Sequence, residues 1–385
     1  MNSGMPGTPT TERQLAAMLT GRYTIDQQHS PIDWSRLLDL AKVNGVSRML
    51  YTVLLKQGIT PPPPIAERIR SIHLAGVIDG SKRHHQFNTL LAMLTNAGIT
   101  VIPLKGVWLS ETVYPNIAMR GMADIDLWIR KEDIELASKL LQEIGYQESE
   151  NADRPRELQV ARSGEILLYK NDAPFVELHW GIFLGEWLRL ASCIDERQIW
   201  ERSLTWKGEK VRHLQPEDAL IHIAIHVAVN HHMAESVLRA MLDLYLLCQQ
   251  LNIDWDLVVE RAKTWQVSVP LWFVGDCMIR LFGDNESMSE QLLKLQPSGF
   301  RRWILRRFFS PDEMINGDTI VGLRKYAFLL SLTESNASFI RLVWQSLFPD
   351  RTWLTLRYGL KDAPLWRIAV QRILHPLLVL RHRKV

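Results

Sequence analysis

Apart from one short hairpin, strand-forming sequence is confined to one stretch of the chain, about Ile99 to Trp180, and helical periodicity lies on both sides of it. That confinement allows only a small sheet and leaves helices to supply most of the core. Ile99-Thr100-Val101-Ile102-Pro103-Leu104 and Asp124-Ile125-Asp126-Leu127-Trp128-Ile129 are short β-rich apolar runs. Ile134–Leu141 returns to helical spacing and stops at Gly145, and Ile166–Tyr169 and Phe175–Trp180 are strand-like again. The expected fold class is α+β: a small mixed β-sheet flanked by N-terminal helices and a larger, all-helical C-terminal region.

Upstream, Trp34–Gln57 carries apolar residues at helical spacing, with Asn44-Gly45 as a break between two shorter helices. Pro61–Pro64 cannot continue a helix, so a second long helix is expected from near Ile65 to Thr95, ended by Asn96-Ala97-Gly98. Downstream, a hairpin is expected over Leu204–Leu214, turning through Lys207-Gly208-Glu209. Beyond Pro216 the pattern is helical throughout. Most of the fourteen tryptophans fall outside the strand-forming stretch and read as core. At 385 residues the chain exceeds one ordinary core, and the expected division is 1–95, 96–214 and 215–385.

A hydrophobic share of 46% with 23% charged residues excludes a mainly disordered chain. The net charge of +3 supplies no strong bulk field for nucleic acid or anionic membrane. Cys193, Cys248 and Cys277 are far apart, with no metal-ligand spacing and no disulfide framework. No apolar run reaches the ~20 residues needed to cross a bilayer, and Met1–Thr20 lacks the order of a signal peptide. A cytoplasmic protein is expected.

The chemistry-bearing feature is Asp124-Ile125-Asp126. Residues two apart on a strand share a face, so the two carboxylates can converge on one cation pair, as phosphoryl and nucleotidyl transfer require. The bare pattern is cheap. Asp133/Glu135, Glu148/Glu150, Asp254/Asp256 and Asp284/Glu286 repeat it, but in helix-end or loop contexts where acids stay solvated. Around Asp124 and Asp126 the neighbours are apolar, and an unpaired carboxylate on a buried strand is costly. Glu177 is a third acid on an otherwise apolar strand, Phe175–Trp180. These acids read either as a shared metal site or as partners of Arg120, Arg130 or Lys105.

Leu104-Lys105-Gly106 directly follows the first strand, where a glycine lets backbone N–H groups approach a phosphate and a lysine supplies a point charge. Arg120, four residues before Asp124, either binds phosphate or pairs with an aspartate. His179 shares the Glu177 face by parity. His222, His226, His231 and His232 include an i, i+4 pair that Zn²⁺ could use, but no cysteine or carboxylate joins them at finger spacing, which favours pocket or capping groups. His84-His85 reads as a helix surface or a site rim. Leu365–His375 and the following Arg381-His382-Arg383-Lys384 form a basic amphipathic tail, read either as packing against the helices or as peripheral membrane contact.

Leu104-Lys105-Gly106, Tyr114-Pro115, Arg120, Asp124-Ile125-Asp126-Leu127 and Val176-Glu177-Leu178-His179-Trp180 together resemble the bacterial nucleotidyltransferase-like family of the polymerase β superfamily. His226, Arg239 and Asp243 with Asp254-Trp255-Asp256 resemble its helical segment. Phe348-Pro349 and Arg357-Tyr358-Gly359 resemble its C-terminal signature, which carries the resemblance from about Leu91 to Leu360. Lys105-Gly106 replaces the superfamily's more common Gly-Ser, and Glu177 replaces the more frequent Asp with a longer oxygen ligand.

The resemblance implies Asp124, Asp126 and Glu177 as catalytic ligands to Mg²⁺, with two ions expected, and Glu177 also placed to activate an acceptor hydroxyl. It implies Lys105 and Gly106 at the β- and γ-phosphates, and Arg120 at the phosphates or buttressing the aspartates. His226, Arg239 and Asp243 are implied on the acceptor side. The function implied is transfer of an NMP or related phosphoryl-linked group from an NTP or nucleotide-sugar to a small-molecule, sugar or peptide acceptor. A non-catalytic NTP-binding regulator is the alternative, and it predicts loss of one acid. All three stand.

Overall fold

The computed structural model describes residues 10–23, 31–149, 164–234, 236–283, 286–317 and 319–381. The N-terminal block is helical. Asp33 caps the helix Trp34–Val43 by accepting from the Arg36 amide at 3.0 Å, and Asn44-Gly45 separates it from the helix Ser47–Lys56. Gly45 is at φ +66, where an L side chain is disfavoured. Pro63 and Pro64 open the 34-residue helix Pro63–Asn96 in its first turn, where missing N–H groups cost nothing.

Five strands form the sheet: β1 (Ile102–Pro103), β2 (Asp124–Trp128), β3 (Gln147–Glu148), β4 (Glu165–Tyr169) and β5 (Phe175–His179). Their order is β1-β2-β5-β4-β3. The β2–β5 pair is parallel and the other pairs are antiparallel, so the sheet is mixed and the fold is α+β as expected. The β1 run is shorter than Ile99–Leu104 suggests. Pro103 has no N–H to extend the ladder, and Val101 bridges to Val211 instead. The hairpin Leu204–Thr205 with Arg212–His213 forms where expected.

Strand alternation sorts the sheet's two faces. Ile125, Leu127, Val176 and Leu178 point to one side and form a core with Phe87, Leu90 and Leu94 of the long helix and Ala137 and Leu141 of the helix Ile134–Glu143. Asp124, Asp126 and Trp128 of β2, with Glu177 and His179 of β5, fall on the opposite face by the same alternation. That face meets a second, larger core, built by the N-terminal helices together with Pro216–Ile225, Val237–Gln250 and Ser268–Phe282.

The structure departs from the sequence reading at the tryptophans. Trp303, Trp344 and Trp366 are exposed and do not contribute to a core. It also departs at Glu148, which sits on edge strand β3 and not in a loop; Glu150 and Asp284 lie outside the described residues. Asp254 is a helix cap, accepting from the Asp256 and Leu257 amides.

Candidate active site

Parallel pairing sets Asp126 of β2 directly opposite Glu177 of β5, and Trp128 opposite His179. Neighbouring strands lie ~4.8 Å apart, so two carboxylates share one small volume. Carboxylate oxygens of Asp126 and Glu177 and a ring nitrogen of His179 all fall within 4.8 Å of one another. Among the described residues this is the one group of three or more His, Cys, Asp or Glu side chains arranged to hold a cation. Asp124 starts the strand two residues earlier on the same face and is half-buried. It stands outside that tight group.

His179 bridges the acids. Its Nε2 lies 3.1 Å from Asp126 Oδ1 and 3.4 Å from Glu177 Oε2. Its Nδ1 is 3.4 Å from Glu165 Oε2, outside hydrogen-bond geometry. Burial opposes charge on the ring, but the hydrogen bonds to Asp126 and Glu177 outweigh it and lift its pKa to about 9. His179 is therefore a proton-bearing donor that holds the two acids together. Face parity flagged this residue, while its partners depended on pairing across the sheet.

Lys105 completes the cluster. Leu104 N donates to Asp126 O at 3.0 Å, which ties the end of β1 to the aspartate. The chain then turns at Lys105, whose φ of +41 is a strained conformation for a residue with a side chain. Lys105 Nζ sits 3.2 Å from Asp126 Oδ1 and 3.2 Å from His226 Nε2. Burial works against the ammonium, yet Asp126, Glu177 and Asp124 together raise its pKa. Asp126 is the converse: burial alone would raise it, but Lys105 and the His179 hydrogen bond hold it well below the usual carboxylate range. Burial and the neighbouring Asp126 charge leave Glu177 raised. Two carboxylates side by side thus have pKa values pushed apart, the pattern of paired acid–base groups.

Of the cations that could have neutralised these acids, Lys105 does so. Arg130 lies over the Trp200 ring at 4.4 Å. Arg120 turns to Asp243, donating from Nε and Nη2 to its two oxygens at 2.8 Å each, and Tyr114 donates to the same carboxylate at 2.7 Å. This triad is buried. Arg239 donates to Gly121 O at 3.2 Å beside it. The remaining Arg120 nitrogen backs onto Gly106, where an added Cβ would stand 3.0 Å from Nη1. The Lys-Gly pair therefore answers a packing demand: a side chain in place of Gly106 would press on Arg120 under the turn that carries Lys105.

The helical side contributes His226. The helix Pro216–Ile225 loosens into a π turn at His226–Asn230, a feature often found at functional sites. There His226 Nε2 lies between Lys105 and His231 Nε2, the latter at 2.7 Å. Burial, then Lys105, hold His226 well below its ordinary pKa. His222 sits one turn earlier, and its Nε2–H donates to Ile182 O at 3.1 Å. Of these histidines His226 contacts Lys105 and His231 contacts His226, and among the described residues they form no metal-ligand group.

A family model described as an uncharacterised nucleotidyltransferase matches residues 30–283. The chain belongs to this family. The match includes Lys105, Gly106, Arg120, Asp124, Asp126, Glu177, His226, Arg239 and Asp243, and it assigns the chain to the transferases. It begins well before Leu91 and stops at Gly283, so Phe348-Pro349 and Arg357-Tyr358-Gly359 lie beyond it. A comparison with curated proteins finds no match.

Proposed function

We propose that this nucleotidyltransferase moves a nucleoside monophosphate from an NTP to a hydroxyl of a small-molecule, sugar or peptide acceptor, with Mg²⁺ as cofactor. The observation that carries the reading is the register of Asp126 against Glu177 on parallel strands, with the Lys105 ammonium at their edge. The donor set fits the ion. Carboxylate oxygens suit a hard cation such as Mg²⁺, and the one nitrogen in the cluster bears a proton. Asp126 and Glu177, with Asp124 on the same face, would hold Mg²⁺, two ions in the full complement. Bound Mg²⁺ supplies charge neutralisation at the phosphates.

The side chains then divide the work. Lys105 binds the β- and γ-phosphates and keeps its charge throughout. His226 fixes the ammonium from the helical side. The Arg120–Asp243–Tyr114 triad supports Gly106 and the turn, so that Lys105 stays on the acid side of the sheet. Glu177, opposite Asp126 on the neighbouring strand, accepts the acceptor hydroxyl's proton as that oxygen attacks the α-phosphorus. The Pα–O–Pβ bond breaks and pyrophosphate leaves. Residues 1–298, which hold the site, carry a net charge of −6, which favours a small acceptor over a polynucleotide.

Incubation with each NTP, Mg²⁺ and candidate acceptors, followed by mass spectrometry, tests this. Acceptor mass increased by one NMP with release of pyrophosphate is expected. Release of a nucleoside diphosphate from a nucleotide-sugar would replace it with sugar transfer. NTP binding without turnover of any acceptor, and with no pyrophosphate release, would favour a non-catalytic regulator.

A further inference from the structure

Past residue 298 the chain changes its charge. Residues 299–385 contain fifteen Lys and Arg against six Asp and Glu, a net of +9, whereas residues 1–298 carry thirty against thirty-six, a net of −6. The small overall charge therefore hides a strongly basic C-terminal region joined to an acidic remainder. No acidic residue follows Asp362.

The helix Leu365–Arg381 lies in this region and is apolar on two sides. Its inner face is docked. Ile368 is buried against Leu354 and Leu360, and the buried His375 accepts or donates at Tyr358 Oη over 2.8 Å with its ring 5.2 Å from Trp353. Its outer face consists of Trp366, Val370, Ile373, Leu374 and Leu377, spaced as one stripe of a helix. Trp366 is 68% exposed, Ile373 69% and Leu377 63%. The stripe runs from Trp366 to Leu377, ~16 Å along the axis. The exposed Arg367 flanks it. Inner packing already anchors the helix, so the outer stripe is not needed to hold it in place.

We infer that this outer stripe docks the protein on an anionic lipid bilayer, lying in the plane of the interface. Two features select that occupant. A helix with a tryptophan and branched aliphatic residues on one face, an exposed arginine beside them and no acids matches interfacial helices, whose apolar side sinks into the headgroup boundary while cations meet anionic headgroups. Among the described residues no helix is long and apolar enough to cross a membrane, so the contact is peripheral. A symmetric second copy fits poorly, because a two-fold contact would bring one +9 region against another. Nucleic acid would exploit the charge but gains little from a stripe that is four-fifths aliphatic and cannot stack on bases. The partner is therefore a surface that is both apolar and negatively charged.

Flotation of the full-length protein with large unilamellar vesicles tests the inference. The protein should float with phosphatidylcholine–phosphatidylglycerol vesicles at low salt and bind about tenfold less to phosphatidylcholine alone or at high salt. Trp366→Ser combined with Ile373→Ser changes exposed positions, so its melting temperature should match the wild type while flotation falls by about tenfold or more. Arg367→Glu should weaken binding to the anionic vesicles alone. Equal flotation with both lipids, or an unchanged double variant, would overturn the proposal. So would a dimer seen by light scattering that the double variant abolishes, which would assign the stripe to a second copy. Duplex DNA or RNA binding lost in the double variant, with no vesicle binding by the wild type, would overturn it in favour of nucleic acid.

Discussion

Lys105 Nζ and Asp126 Oδ1 stand 3.2 Å apart in a buried cluster, so this protein carries one cation of its own among the acids expected to hold metal. Asp126 is buried and the Lys105 side chain is only 14% exposed, so each partner needs the other. Lys105→Met should therefore destabilise the fold by about 3 kcal/mol, because Asp126 would lose its ammonium and keep only His179. It should also weaken NTP binding. Lys105→Arg should restore stability only in part, since a planar fork does not fit where one ammonium touches both Asp126 and His226. Thermal melts and NTP titration of the two variants check both outcomes.

The two aspartates should separate in their structural cost. Asp124 is half-buried and outside the tight cluster, so Asp124→Asn should leave the melting temperature close to the wild type. Asp126→Asn takes the charge away from both Lys105 and His179 and should lower it clearly. Mg²⁺-dependent turnover should fall by about 10²-fold or more in each. Activity retained in EDTA, or an unaffected double variant, would remove both residues from the metal site.

Asp243 accepts three hydrogen bonds, two from Arg120 and one from Tyr114. Asp243→Asn should cost about 3 kcal/mol, because the buried guanidinium loses its counter-charge. If the triad also positions the turn under Lys105, KM for the NTP should rise in the folded fraction by more than kcat falls. An unchanged KM would confine the triad to stability.

Much of this site can be read from misplaced charge. Asp124, Asp126 and Glu177 stand out because acids interrupt apolar strands, and parity alone adds His179 to their face. What parity does not supply is register. The pairing of Asp126 with Glu177 depends on β2 and β5 lying parallel and adjacent, although β3 and β4 intervene in the chain. Arg120 is beyond a local reading for a similar reason. Its neighbours in sequence suggest the aspartates four and six residues on, but its bidentate partner is Asp243, 123 residues away. Hydropathy likewise marks Trp366, Ile373 and Leu377 as apolar without telling which side of a helix finds a partner. The helices themselves were legible from caps and breaks such as Pro63-Pro64 and Asn44-Gly45, where backbone constraint is local.

His222 gives the apo protein an acid sensitivity. Burial, then the nearby Lys105 charge, depress its pKa to about 3, below the ordinary 6.5. As pH falls through about 6.5 the unfolded chain takes up a proton that the folded chain refuses. Stability is therefore full above that pH and is lost progressively as pH falls towards about 3. His222→Gln cannot titrate, so the difference in unfolding free energy between wild type and variant should shift against the wild type by up to about 1.4 kcal/mol per pH unit below pH 6. Denaturant melts of both proteins from pH 7 to pH 4 would show it. Parallel curves would mean that His222 is not buried in its neutral form.

Glu177 separates a metal carboxylate from a structural one. A structural ion pair would bind its partner tightly and hold the pKa down, and its removal would leave a buried cation unpaired. Glu177 has the opposite character: burial and the adjacent Asp126 raise its pKa, so its negative charge is disfavoured in the fold. The sign follows directly. A carboxyl with a raised folded-state pKa detracts from stability once pH exceeds its unfolded value, and replacing it by the neutral, nearly isosteric amide removes that loss. Glu177→Gln should thus leave the apo melting temperature unchanged or slightly raised at neutral pH. NTP should still bind through Lys105 and the aspartates, while turnover should fall by about 10³-fold as both an oxygen ligand and the proton acceptor are lost. A clear drop in apo stability with turnover retained would instead make Glu177 a partner of His179 alone, leaving Asp124 and Asp126 without a third carboxylate.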